Sequence, residues 1–233
     1  MYAVVINNSG NSGKSTVSDN LLAPRLENVK VIRVESINAH DGDAQENMTG
    51  KEYGDIAEGV VLFDNVVVDV GSSNVEQWQI LTQQYKGSHE IWDYYIVPVV
   101  PSNKQMVDTI RTIELLNEIG VPAEKIRLIF NKVESADSDL EKVFAPIFAY
   151  HKNEGKFTLN KGAVVYDHNF FAKAREARLT IKEILDDTTD FNEKLKAAET
   201  PAEKIEWSRK RGLKYLAVDM NEKLDSAFKA LFE

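Results

Sequence analysis

The sequence predicts an α/β protein with a doubly wound, mostly parallel sheet and a helical C-terminal tail. Short Val- and Ile-rich runs of strand length recur through residues 2–166, and amphipathic stretches of helical spacing separate them. After about Thr180 no strand-like run follows. Strands that alternate with helices form right-handed crossovers, which make parallel pairs covered on both faces.

Tyr2 to Ile6 is an apolar run of strand length, followed by a Gly/Ser/Asn loop and a helical pattern from Lys14 to Leu22 that ends before Pro24. Val29 to Glu35 reads as the second strand. Residues 60–70, VVLFDNVVVDV, hold two apolar runs around Asp64-Asn65, readable as a hairpin or a bent strand pair. Tyr94 to Val100, Ile126 to Phe130 and Ala163 to Tyr166 read as further buried strands. Ser73 to Tyr85, Lys104 to Ile119 and Asp137 to Tyr150 have helix length and spacing. The tail from 181 reads as three helices, one of them starting at Thr200-Pro201, with Thr as cap and Pro in the first turn. We therefore expect a nucleotide-binding domain over 1–185 and a helical extension over 186–233 packed on it.

The chain has 233 residues, 43% hydrophobic and 28% charged, which is ordinary for a globular protein. It has no Cys, so disulfides, thiolate zinc sites and a cysteine nucleophile are excluded. Its four histidines (His40, His89, His151, His168) never fall at helical pair spacing. The apolar runs are far shorter than the ~18 residues of a membrane span, and the first residues lack a signal peptide's basic segment, so the expectation is a cytoplasmic protein with no membrane contact. The net charge of −9 is uneven: −8 over residues 1–100, −2 over 101–200 and +1 over 201–233. Nucleic-acid contact would thus need a local patch in the second half.

The strongest chemical signal is NNSGNSGKST, Asn7 to Thr16, between the first strand and the first helix. Gly10, Asn11, Ser12 and Gly13 form a turn whose backbone N–H groups can face a phosphate. Lys14 supplies a cation for β/γ oxygens, Ser15 a hydroxyl for Mg2+, and Thr16 completes the nucleotide-binding run. Asn8 occupies the first glycine position of the G-x-x-x-x-G-K-S pattern, so the spacing is not the standard one. Asp69 ends the run Val66-Val67-Val68 and is followed by Val70-Gly71, at the sheet edge where α/β proteins bind ligands. A carboxylate there can hold Mg2+ through water, opposite Ser15. Asn131 follows Leu128-Ile129-Phe130 and precedes Lys132; its amide suits a purine edge.

In this order the three elements resemble the ParA/MinD group of P-loop ATPases over about residues 1–185, the small plasmid-stability StbB-type members most. Tyr94-Tyr-Ile-Val-Pro-Val-Val-Pro101-Ser resembles the group's strand-Pro-x-x-Pro-Ser segment. Val164-Val-Tyr-Asp167-His resembles its late strand and base loop, which implies that Asp167 joins the nucleotide site. The resemblance implies ATP and Mg2+ as cofactors, a nucleotide-dependent homodimer, and a plasmid-encoded partner or DNA-binding adaptor. It further implies a catalytic set of Lys14, Glu35 and Asp69, with Glu35 in the first acidic position after the second strand. The chain departs from the group at two places. Ser9 stands where a lysine crosses the dimer, and Ile37 where a second acid positions water; Asp41 and Asp43 lie nearby. Both losses act on the transition state, so nucleotide binding with weak hydrolysis is expected.

Alternatives stay open. Asn131-Lys132-Val133-Glu134 is near the N-K-x-D pattern of GTPases, and the same loop serves small-molecule kinases or a nucleotide-sensing adaptor with negligible hydrolysis. In the tail, Arg209, Lys210 and Arg211 beside Trp207 and Tyr215 read either as a contact for DNA phosphates or as a solvated face balanced by Glu203 and Glu206.

Overall fold

In the computed structural model, which describes residues 1–35 and 49–233, six strands form one wholly parallel sheet. They are β1 (Tyr2–Val5), β2 (Val29–Val34), β3 (Asn65–Val70), β4 (Tyr94–Val99), β5 (Ile126–Val133) and β6 (Thr158–Tyr166), in the order β2-β3-β1-β4-β5-β6. The chain passes from β1 out to the edge strand β2, returns to β3 between them, then crosses to β4 on the other side of β1. β1 and β4 therefore meet at the topological switch point, where a crevice opens beyond the strand carboxyl ends.

Alternation along the central strands sends side chains into two separate cores. Val4 and Ile6 of the β1 region, Val68 of β3 and Val97 of β4 enter one, with Trp78, Trp92, Ile113 and Phe144. Ala3, Val5, Val67, Ile96 and Ile129 enter the other, with Leu21, Phe170, Met220 and Leu224. Helices α2 (Gly50–Gly59), α3 (Val75–Gln84), α4 (Asn103–Glu118), α5 (Leu140–Val143) and α6 (Ala145–Glu154) belong to the first face. The second is covered by α1 (Lys14–Thr16, continuing in wider turns through Leu22), α7 (Asn169–Ala177), α8 (Ile181–Asp186) and α10 (Pro201–Phe232). A doubly wound sheet needs this two-sided burial, because each strand face is apolar.

The tail does contain three helices: α8, α9 (Phe191–Ala197) and α10. Thr200 caps α10 in a full capping box with Glu203, and Pro201 lies in its first turn. The last two apolar stretches of the sequence form one 32-residue helix, whose Leu213, Ala217, Met220, Leu224, Ala227 and Leu231 line the second core. Their spacing of three and four keeps one stripe on the sheet.

Four local expectations need correction. Residues 60–70 are neither hairpin nor strand pair: Val60–Leu62 is a 3₁₀ turn closing α2, and only Asn65–Val70 is strand. Two exposed apolar side chains, Val61 and Leu62, had mimicked a buried run. The first helical segment runs past Pro24 in a 3₁₀ turn, Ala23–Arg25, where proline's missing N–H falls near a turn start and costs little. Asp137 to Tyr150 divides at Phe144 into α5 and α6, with Pro146 in the first turn of the latter. Helix α2 was missed because Gly50, Gly54 and Gly59 dilute its pattern, although its Thr49/Glu52 capping box was present. Ile37, Asp41 and Asp43 lie outside the described residues.

Candidate functional site

The loop after β1 is shaped by two residues in left-handed conformations, Asn11 (φ 58°) and Gly13 (φ 91°). Gly13 occupies the cap position of α1 with no side-chain cap, so the first-turn N–H groups stay directed at the crevice. Glycine is required there for a second reason. A Cβ on residue 13 would stand 1.8 Å from Asn131 Nδ2. Gly13→Ala should therefore force Asn131 aside and add about 1–3 kcal/mol of backbone strain, lowering Tm by several degrees and weakening ATP binding. Thermal unfolding and calorimetry check both.

Lys14 is buried, and its ammonium donates to the carbonyls of Asn7 (3.0 Å) and Ser9 (3.1 Å). Burial pulls its pKa below the ordinary lysine range, and the negative charge of Asp69 opposes this. Asp69 is 4% exposed, and the neighbouring Ser15 hydroxyl favours its ionised form. Burial raises its carboxyl above the usual range, against the influence of the Ser15 hydroxyl and the charge of Lys14. Lysine and serine from the start of α1 and aspartate from β3 thus converge on one edge of the sheet. Gly71 lets β3 leave this edge: its N–H donates to Val34 O at 2.8 Å, and a Cβ would meet that oxygen at 2.9 Å.

The structure pairs Arg33 with Asp19, a residue the sequence pattern does not single out. Arg33 Nη2 lies 2.6 Å from Asp19 Oδ1, and Arg33 also feels the charges of Asp69 and Glu35, all of which hold it firmly protonated. Glu35 itself is exposed at the end of β2.

On the other flank, Asn131 is buried and bridges to the loop. Its Nδ2 donates to Ser12 O at 2.8 Å, and its Oδ1 accepts from Lys132 N at 2.9 Å. The amide keeps one hydrogen beyond these contacts. A β-bulge follows, with Lys132 at φ 55°, which turns that side chain outward. A cavity of about 450 Å³ opens here, lined by Thr16, Asn131, Lys132, Tyr166, Asp167 and Arg175 among others. Asp167 is exposed and tied to the bulge, its N–H donating to Val133 O at 2.8 Å. Thus Thr16, Asn131 and Asp167 share one cavity, beside a loop carrying Gly10, Asn11, Ser12, Gly13, Lys14 and Ser15.

The basic residues of α10 sit elsewhere and are partly engaged. Lys210 pairs with Glu206 (2.8 Å) and lies 4.5 Å from the Trp207 ring centre, while Arg211 donates to Asn192 Oδ1 at 2.8 Å. Arg209 is exposed. No helix among the described residues is long and apolar enough to cross a membrane.

The residues present suit a magnesium nucleotide: a buried ammonium, a hydroxyl–carboxylate pair, and a glycine-bearing turn at a helix start. No protein-family model matches the chain, and no curated protein matches it. Solved structures do. McdA from Cyanothece aligns with 99% of this chain and 98% of its own, at 13% identity and a TM-score of 0.56. The cell-division protein MinD from Aquifex aeolicus aligns with 91% of this chain and 96% of its own, at 14% identity and 0.53. MinD from Pyrococcus horikoshii, complexed with Mg-ADP, covers 96% and 95%, at 13% identity and 0.50. What the chain shares with them is the fold of the ParA/MinD-type P-loop ATPases.

Proposed function

We propose that this protein is a ParA-like nucleotide-binding ATPase, a dimerising switch in plasmid stability, partition or positioning, with weak intrinsic hydrolysis. The observation that carries the reading is the convergence of Lys14, Ser15 and Asp69 at the switch point of the sheet. Residues 1–185 would form the nucleotide-binding unit and 186–233 its helical extension. Lys14 would hold the terminal phosphates, Ser15 and Asp69 the Mg2+, and the Asn131–Asp167 cavity the base. When bound, Mg2+ would neutralise charge on the phosphate oxygens. Bound ligands in similar folds agree with this assignment: one McdA structure is an ATP complex and one MinD structure a Mg-ADP complex.

A partner protein is part of the proposal, since MinD of Aquifex is also found complexed with MinC. DNA contact through Arg209, Lys210 and Arg211 is a lesser element, because it would compete with the Glu206 and Asn192 contacts.

Slow turnover follows from Ser9, whose side chain is buried and short and carries no charge toward a phosphate. The purified chain should bind ATP in a Mg2+-dependent manner, with GTP a poorer competitor, and form a nucleotide-dependent dimer in light scattering. Hydrolysis should be slow alone and gain in Ser9→Lys. Absence of ATP binding would overturn the nucleotide assignment. Stronger competition by GTP would make it a GTPase, and fast parental turnover without gain in Ser9→Lys would remove the idea of a depleted loop.

A further inference from the structure

The phosphate loop is held from behind by one stripe of α4, a region with no chemical role in the sequence reading. Gln105, Thr109 and Thr112 lie at spacings of four and three, so they share a helix face. Gln105 Nε2 donates to Gly10 O at 3.0 Å. Thr109 Oγ1 accepts from Asn7 Nδ2 at 2.8 Å, and Thr112 Oγ1 accepts from the Asn8 N–H at 3.0 Å. Each threonine hydroxyl gives its hydrogen to a carbonyl one turn back, Gln105 O for Thr109 (2.7 Å) and Asp108 O for Thr112 (2.8 Å). With their hydrogens committed, both oxygens act toward the loop as acceptors.

Asn7 is the centre of this network and has no exposed surface. Its Nδ2 also donates to Pro98 O of β4 at 2.8 Å, and its Oδ1 accepts from Ser9 N at 2.7 Å. All the hydrogen-bonding capacity of its Nδ2 is used, so its orientation is fixed from both sides of the switch point. The two carbonyls that receive the Lys14 ammonium belong to Asn7 and Ser9, the two residues this amide holds.

The structure assigns to Thr109, acting through Asn7, the role of a positioning residue that sets the Lys14 ammonium for the phosphates; this rests on the nucleotide reading above. Thr109 touches no nucleotide itself. Replacing its hydroxyl by a methyl leaves shape and helix unchanged but orphans one Asn7 N–H in a dry site, which releases the amide to reorient.

The test is Thr109→Val, with Thr109→Ser as rescue. ATP and AMP dissociation constants are measured by calorimetry well below the unfolding midpoint, where nearly all protein is folded. Thr109→Val should weaken ATP binding roughly tenfold. The AMP constant should change much less, since AMP lacks the β and γ groups, and Thr109→Ser should restore ATP binding. A residue with a purely structural role would lower the midpoint and leave both constants as in the parent, and that result overturns the inference. So would equal weakening of ATP and AMP. If Thr109→Val does not fold, Thr109→Ala, which removes the same acceptor from Asn7 Nδ2, carries the same comparison with the same two outcomes. Failure of the parent chain to bind ATP would instead count against the proposed function, so the two failures are distinguishable.

Discussion

Lys14→Ala should lower ATP affinity by roughly 30-fold to several-thousand-fold, the range expected for losing one partner of a buried charge pair. The chain should remain folded. Two opposed effects on stability explain why. The alanine deprives the carbonyls of Asn7 and Ser9 of their donor, which costs stability unless water replaces it. It also removes a buried ammonium whose pKa is pulled below the ordinary lysine range, which means that folding disfavours its charged form at neutral pH. Unfolding midpoints of parent and variant should therefore lie close together without nucleotide. They should separate when ATP is added, because the ligand stabilises the parent alone. A variant that binds ATP like the parent would remove the phosphate loop from the proposal.

Asp69→Asn should make the empty protein more stable at neutral pH and at the same time abolish most of the Mg2+ dependence of nucleotide binding. Burial raises the Asp69 carboxyl above its ordinary range, so the folded chain holds that proton more tightly than the unfolded one. At neutral pH the ionised group is therefore a net cost to folding, despite the Ser15 hydroxyl and the charge of Lys14. Asparagine keeps the shape and an acceptor for Ser15, and it relieves that cost. The unfolding midpoint of the variant should therefore lie above that of the parent at pH 7. The gain should shrink as pH falls toward the ordinary aspartate range, where the parent carboxyl is protonated in both states. Affinity for ATP measured with and without Mg2+ should become nearly equal. A variant less stable than the parent at pH 7, with an unchanged Mg2+ titration, would show Asp69 to be structural. Functional sites often carry such a cost to folding.

Much of this was legible from the residues in order. Strand and helix periods are local properties, so the Val/Ile runs and the spacing of α3 and α4 announce a parallel sheet covered on both faces. Gly13-Lys14-Ser15-Thr16 and the run ending in Asp69 carry their chemistry within a few positions, which is why they were found. Elements failed where local composition misled. Val61 and Leu62 look buried but are exposed on a turn, and glycines concealed α2.

The remaining features depend on residues far apart in the chain. Asn131 reaches Ser12 across 119 positions and fills the space that makes residue 13 glycine. Thr109 and Thr112 meet the loop across 102 and 104 positions, and no local pattern distinguishes them from any polar residue on a helix face. Arg33 finds Asp19 only because β2 returns beside the first helix. Local pattern announced the kind of sheet and singled out Lys14, Ser15 and Asp69 as candidates for a phosphate site. The packing of α4 and β5 against the crevice decided how those residues are oriented, because hydrogen-bond geometry between distant segments exists only once the sheet has brought their ends together.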